Sequence, residues 1–100
     1  MDRPAPPDPP PGPSAGPPPG PPTGPAADER LDERVRRFGA SVRACRHGLG
    51  WSQERLAEAA GLDQTYVSGV ETGRRNPTVR VVLRLADALG RAPSDLLRGV

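Results

Sequence analysis

The sequence contains no lysine: its 14 Lys+Arg positions are all arginine, set against 12 acidic residues. It has one cysteine, Cys45, and one histidine, His47, so it can close no internal disulfide and assemble no Cys/His zinc site. Aromatic residues are limited to Phe38, Trp51 and Tyr66. Apolar runs stop after a few residues, far short of the roughly 20 that a membrane-spanning helix needs, and no apolar stretch follows Met1 as it would in a secretory signal. Ser52, Asp63 and His47 do not suggest a catalytic triad, because Ser52 and Asp63 are both accounted for as helix caps. A single cysteine and a single histidine argue against most metal-dependent and cysteine-based catalysis. No enzymatic activity, metal, cofactor, small-molecule ligand or membrane partner is expected, and a cytoplasmic location is.

Proline and glycine are abundant but confined. Thirteen of the 15 prolines lie in the first 27 residues. Runs such as Pro9-Pro10-Pro11 fix φ and remove donors, so residues 1–27 read as a disordered tail of polyproline II character. Gly12, Gly16, Gly20 and Gly24 recur every four residues rather than every three, which excludes a collagen helix. Residues 28–100 remain, enough for one small domain and too few for two. The tail is net −1, and 13 arginines against 10 acids make the rest net +3. The folded part is the basic part.

After Ala27 helix punctuation begins. Asp28 is placed to cap a first helix whose apolar stripe is Leu31, Val35, Phe38, Val42, Cys45 and Leu49, with Gly48 and Gly50 ending it. Ser52 caps a second helix, with Trp51 and Leu56 as a hydrophobic staple and Gly61 as its stop. Asp63 caps a third, from about residue 63 to 72, with Leu62 and Val67 as staple and Gly73 as stop. Arg74-Arg75-Asn76-Pro77 reads as a loop, since the residue before proline disfavours helix. Thr78 caps a fourth helix with Val79, Val82, Leu83, Ala86 and Leu89 inward, and a short fifth runs from Pro93 to Leu97, burying Leu96 and Leu97. No segment alternates as a strand would. The fold class is all-α.

The second and third helices are short and separated only by Gly61-Leu62-Asp63, so they must cross steeply as a helix-turn-helix. With Val67 and Val70 anchored, the third helix leaves Gln64, Thr65, Ser68, Gly69 and Thr72 outside. A solvated helix face usually carries Glu, Lys and Arg; this one carries uncharged hydrogen-bonding groups. Gln suits the paired N6 and N7 edge of adenine, and Thr a base or the thymine methyl. Arg74 and Arg75 follow directly, Arg80 lies in the next helix and Arg43 and Arg46 in the first, while Ser52-Gln53 opens a helix with free amides for a phosphate. Gln64 and Thr65 could also be no more than polar helix-start residues. Tyr66 could pack on a sugar-phosphate backbone or simply cover the protein.

The string Ser52-Gln53-Glu54-Arg55-Leu56-Ala57, Gly61-Leu62, Val67 and Glu71-Thr72-Gly73-Arg74-Arg75-Asn76-Pro77 resembles the Cro and lambda-repressor (Xre-type) helix-turn-helix family, over roughly Phe38 to Leu97. The resemblance implies a five-helix lambda-repressor-like domain that binds double-stranded DNA, usually as a homodimer on an inverted repeat. It implies base contact by Gln64, Thr65, Ser68 and Gly69. It implies a phosphate-positioning role for Gln53 and a structural ion pair for Arg46 and Glu71. Position and chemistry add Ser52, Thr72, Arg74, Arg75, Asn76 and Arg43 as expected phosphate contacts, though Arg74 and Arg75 are not both expected to serve and could be only solvated. Gly69 departs from the family in offering no side chain where a base-reading one often stands, at a helix cost of about 1 kcal/mol. Sequence readout is therefore expected to be weaker or to rest on DNA shape. The rival expectation is a protein-interaction module or antitoxin-like partner of the same fold with weak DNA binding.

Overall fold

A computed structural model describes residues 24–100; the tail expected at residues 1–27 lies outside the described residues except for its last four. The described residues form helices α1 (Pro25–Gly48), α2 (Gln53–Ala60), α3 (Gln64–Thr72), α4 (Val79–Leu89) and α5 (Pro93–Leu96), with no strand among them. Helix α1 opens three residues before the expected Asp28 cap. Its N-cap is Gly24, which supplies no side-chain bond, and Pro25 follows in the first turn. Proline is suited there because its missing N–H would be unsatisfied anyway. Asp28 instead sits inside the first turn, where its charge complements the helix dipole.

The core is contributed by every helix: Phe38 and Val42 from α1, Leu56, Ala57 and Ala60 from α2, Val67 and Val70 from α3, Leu85, Ala86 and Leu89 from α4, and Leu96 from α5. The α1 stripe is buried only in its middle. Leu31 and Leu49, expected inward, are about half exposed, because the 24-residue helix outruns the body it packs against. Helix α4 needs a larger correction. Val79 and Leu83, expected inward, are exposed, Val79 at 76%, while Leu85, outside the expected stripe, is fully buried. Residues 79, 82, 83 and 86 and residues 82, 85, 86 and 89 both follow helical spacing. Packing against α2 and α5 selects the second stripe. Leu97 likewise falls outside the core, half exposed just past α5.

Helices α1 and α3 approach so closely that a Cβ at Gly39 would collide with the carbonyl oxygen of Val70 and lie 2.8 Å from that of Glu71. Gly73, which ends α3 at φ +81, likewise abuts the Arg36 stem of α1 and leaves no room for a side chain. These two glycines hold the third helix against the first. Between α2 and α3, the Leu62 amide donates to the Ala57 carbonyl at 2.8 Å while Gly61 takes the left-handed conformation, a Schellman closure that turns the chain within three residues. Ala57, almost fully buried, keeps the two helices near each other.

Candidate nucleic-acid interface

The turn between α2 and α3 sets the geometry of the interface. Ser52 caps α2 by accepting the Arg55 amide on Oγ at 3.0 Å. The amides of Gln53 and Glu54 ahead of it have no acceptor among the described residues, so two donors point out of the helix start. Asp63 stands at the N-cap position of α3, but its carboxylate accepts no bond from the helix, contrary to the capping role assigned to it. The first turn of α3 therefore also opens with unengaged amides.

On α3, Gln64 and Thr65 are exposed, Ser68 and Gly69 are half-buried, and Val67, Val70 and Glu71 face inward. The outer surface is uncharged along the whole helix. Thr72 is exposed, yet its hydroxyl donates back to the carbonyls of Ser68 at 3.0 Å and Gly69 at 3.3 Å. Its single proton is engaged within the helix, so in this conformation Thr72 can offer a phosphate no donor.

Arg46, Glu71 and Gln53 form the polar cluster behind that surface. Arg46 Nε and Nη2 donate to the two Glu71 carboxylate oxygens at 2.7 and 2.9 Å, a bidentate pair. The remaining Arg46 nitrogen, Nη1, donates to the Trp51 carbonyl at 2.7 Å, and Gln53 Nε2 donates to Glu71 Oε1 at 3.1 Å. Both charged side chains are buried, with 8% and 2% of their side-chain surface exposed. Hydrogen bonding to Glu71 raises the Arg46 pKa above the ordinary guanidinium value against the opposing effect of burial, so the cation persists throughout the accessible pH range. The cluster joins α1, the start of α2 and the end of α3. Gln53 has two functions available: its side-chain amide belongs to this brace, and its backbone amide is directed outward. The spacing of the motif showed the second possibility and gave no hint of the first.

The arginines divide. Arg43 is exposed on α1. Arg75 borders a surface depression of about 420 Å³ together with Leu62, Asp63, Thr65, Tyr66 and Val81. Arg74 and Asn76 border a different one with Asp28, Leu31, Asp32 and Val35, on the α1 side of the loop. Two adjacent arginines thus serve different surfaces, one beside α3 and the other beside two carboxylates of α1. Trp51, assigned as a staple, is half-buried against the core with the Arg55 guanidinium 5.0 Å above its ring. Cys45 is partly buried against the same core. Among the described residues no group of His, Cys, Asp and Glu could hold a metal ion, and no helix is long and apolar enough to cross a membrane.

Comparison with known proteins matches this arrangement to a family model. The helix-turn-helix model matches residues 42–96, from α1 to the end of α5. A hypothetical transcription factor of Neisseria meningitidis is 47% identical over 57 residues, which are 57% of this chain and 54% of that protein; the chain spans about half the length of that relative. The control protein C.BamHI of Bacillus amyloliquefaciens is 41% identical over 61 residues, 60% of this chain and 75% of that one. Among solved structures, the restriction-modification controller protein C.AhdI from Aeromonas hydrophila superposes with a TM-score of 0.61 at 45% identity, over 64% of this chain and 96% of that one.

Proposed function

The chain belongs to the helix-turn-helix family, whose model spans residues 42–96, and from that membership we propose that this DNA-binding transcriptional regulator reads its site by inserting α3 into the major groove. The observation that carries the proposal is the uncharged outer face of α3, with Gln64 and Thr65 exposed and Ser68 and Gly69 half-buried, on a helix braced from behind by the Arg46–Glu71 pair. Gln64, in the first turn, would meet a base edge, with Thr65 beside it. The open amides of Gln53 and Glu54 at the start of α2, with Arg43 and the loop residues Arg74 and Asn76, would hold phosphates and set the register. Ser52 contributes by capping that amide cluster, and Thr72 would contribute only after releasing its internal bonds.

The functional unit is a homodimer on an inverted repeat, with half-sites about 10 bp apart. In support, Val79 and Leu83 stand one turn apart on α4 as large apolar side chains left 76% and 46% exposed. A second copy would cover them. Such a regulator acts on the nucleoid in the cytoplasm.

Salt-dependent binding curves for specific and random duplexes test the reading. Gln64→Ala is expected to lose about 1–3 kcal/mol on the preferred site and little on random DNA. Arg74→Ala is expected to weaken both alike and to lower the salt slope by about one unit. Equal losses on both kinds of DNA for Gln64→Ala would show that α3 is not the reader. A parent protein with little affinity for DNA at any salt would show instead that the fold serves as a protein-docking module.

A further inference from the structure

Gly69 is the position on the reading face of α3 that has no side chain, yet the space above it is filled. A Cβ at residue 69 would lie 2.5 Å from Arg75 Cγ, 3.5 Å from Arg75 Cβ and 3.7 Å from Arg75 Cδ. The methylene stem of Arg75 therefore lies flat across the helix where any larger residue would project. The loop backbone holds it there, because the amides of Arg74 and Arg75 both donate to the Gly69 carbonyl, at 2.8 and 3.1 Å.

The far end of Arg75 is free. The Arg75 guanidinium, like those of Arg43, Arg74 and Arg80 and unlike that of Arg46, which Glu71 holds, makes no hydrogen bond or ion pair among the described residues. It borders the same depression as Thr65, the residue one turn before Gly69 on the same face of α3. Arg74 instead borders the depression on the α1 side of the loop. Of the two loop arginines, only Arg75 borders the depression that Thr65 lines.

We infer that Gly69 and Arg75 work as one unit. The missing side chain at 69 makes the channel in which the Arg75 stem lies, and Arg75 delivers to a base edge the contact that residue 69 cannot make. Arg75 is then a specificity-determining residue and Gly69 its positioning residue. The fitting target is guanine, whose O6 and N7 accept the paired donors of a guanidinium in the major groove. This rests on the reading that α3 enters that groove.

Selection of preferred sites from a randomised duplex library, for the full chain and for Arg75→Ala, Gly69→Ala and the double variant, tests it. The parent should prefer guanine at one position of each half-site. Arg75→Ala should reduce that preference by roughly 5- to 150-fold while leaving the other positions as they were. In Gly69→Ala the new methyl displaces the flexible Arg75 stem, so the same guanine preference should fall. Its melting temperature should stay level or rise, because alanine favours helix over glycine, and a merely structural glycine would show the opposite pattern. In the double variant the Gly69 change should add nothing. Uniform weakening on all sequences by Arg75→Ala, with a smaller salt slope, would make Arg75 a phosphate contact and overturn the inference, as would an intact guanine preference in Gly69→Ala. A parent without any base preference would overturn the groove reading itself, and that is visible before any variant is compared.

Discussion

Arg46→Ala removes the cation that joins three helices, and its consequence can be worked from the geometry. The substitution strands Glu71, a carboxylate with 2% of its side chain exposed, with only the Gln53 bond left. It also takes the donor from the Trp51 carbonyl. Breaking one half of a buried pair costs about 3–5 kcal/mol, and the surviving Gln53 contact places this case near the lower end, about 3 kcal/mol. A domain of this size is stable by roughly 4–11 kcal/mol at 0.05–0.15 kcal/mol per residue, so the variant should fold with a much reduced margin. At about 4–8 °C per kcal/mol the melting temperature should drop by about 12–24 °C. Glu71→Ala should lose less, about 2 kcal/mol, because the Arg46 guanidinium keeps the Trp51 carbonyl and can relax toward water. Urea unfolding of both single variants and the double variant, followed by circular dichroism, closes the cycle. The double loss should fall short of the summed single losses by about 1 kcal/mol or more. Additivity within about 0.5 kcal/mol would mean that the two side chains do not act together, and the brace would be decorative.

Gly39→Ala should destabilise by about 2 kcal/mol despite the better helix propensity of alanine, since the methyl meets backbone oxygens of Val70 and Glu71 that cannot rotate away; an unchanged melting temperature would show that α1 and α3 can separate freely. Leu85→Ala should cost about 2–5 kcal/mol, whereas Leu83→Asp, at a side chain 46% exposed, should lower the monomer's unfolding free energy by no more than about 1 kcal/mol. Sedimentation of the same Leu83→Asp protein should show weaker self-association, and an unaltered dimer would place the pairing surface elsewhere.

The sequence alone determined the all-α class, the five helices, the tight turn between α2 and α3 and the family. Those properties are written locally: a capping serine, glycines after apolar stripes, proline in the loop, and a string of residues at set spacing from Ser52 to Pro77. It also singled out the exposed face of Gln64 and Thr65, because a helix with Val67 and Val70 inward leaves those positions outside. The tertiary structure decided what local pattern leaves open. Helical spacing permits two overlapping stripes on α4, and only the neighbours to be covered selected Leu85 over Leu83. A capping sequence does not oblige a carboxylate to bond, so Asp63 stands at its position without the hydrogen bond, and α1 could begin at Pro25 ahead of Asp28. The greater surprises lie in long-range contacts. That Gln53 joins Arg46 and Glu71, that Gly39 is the seat of α3, and that Arg75 rather than Arg74 covers Gly69 all depend on where separate helices meet in space. Spacing along one helix carries no information about the depth at which another helix crosses it.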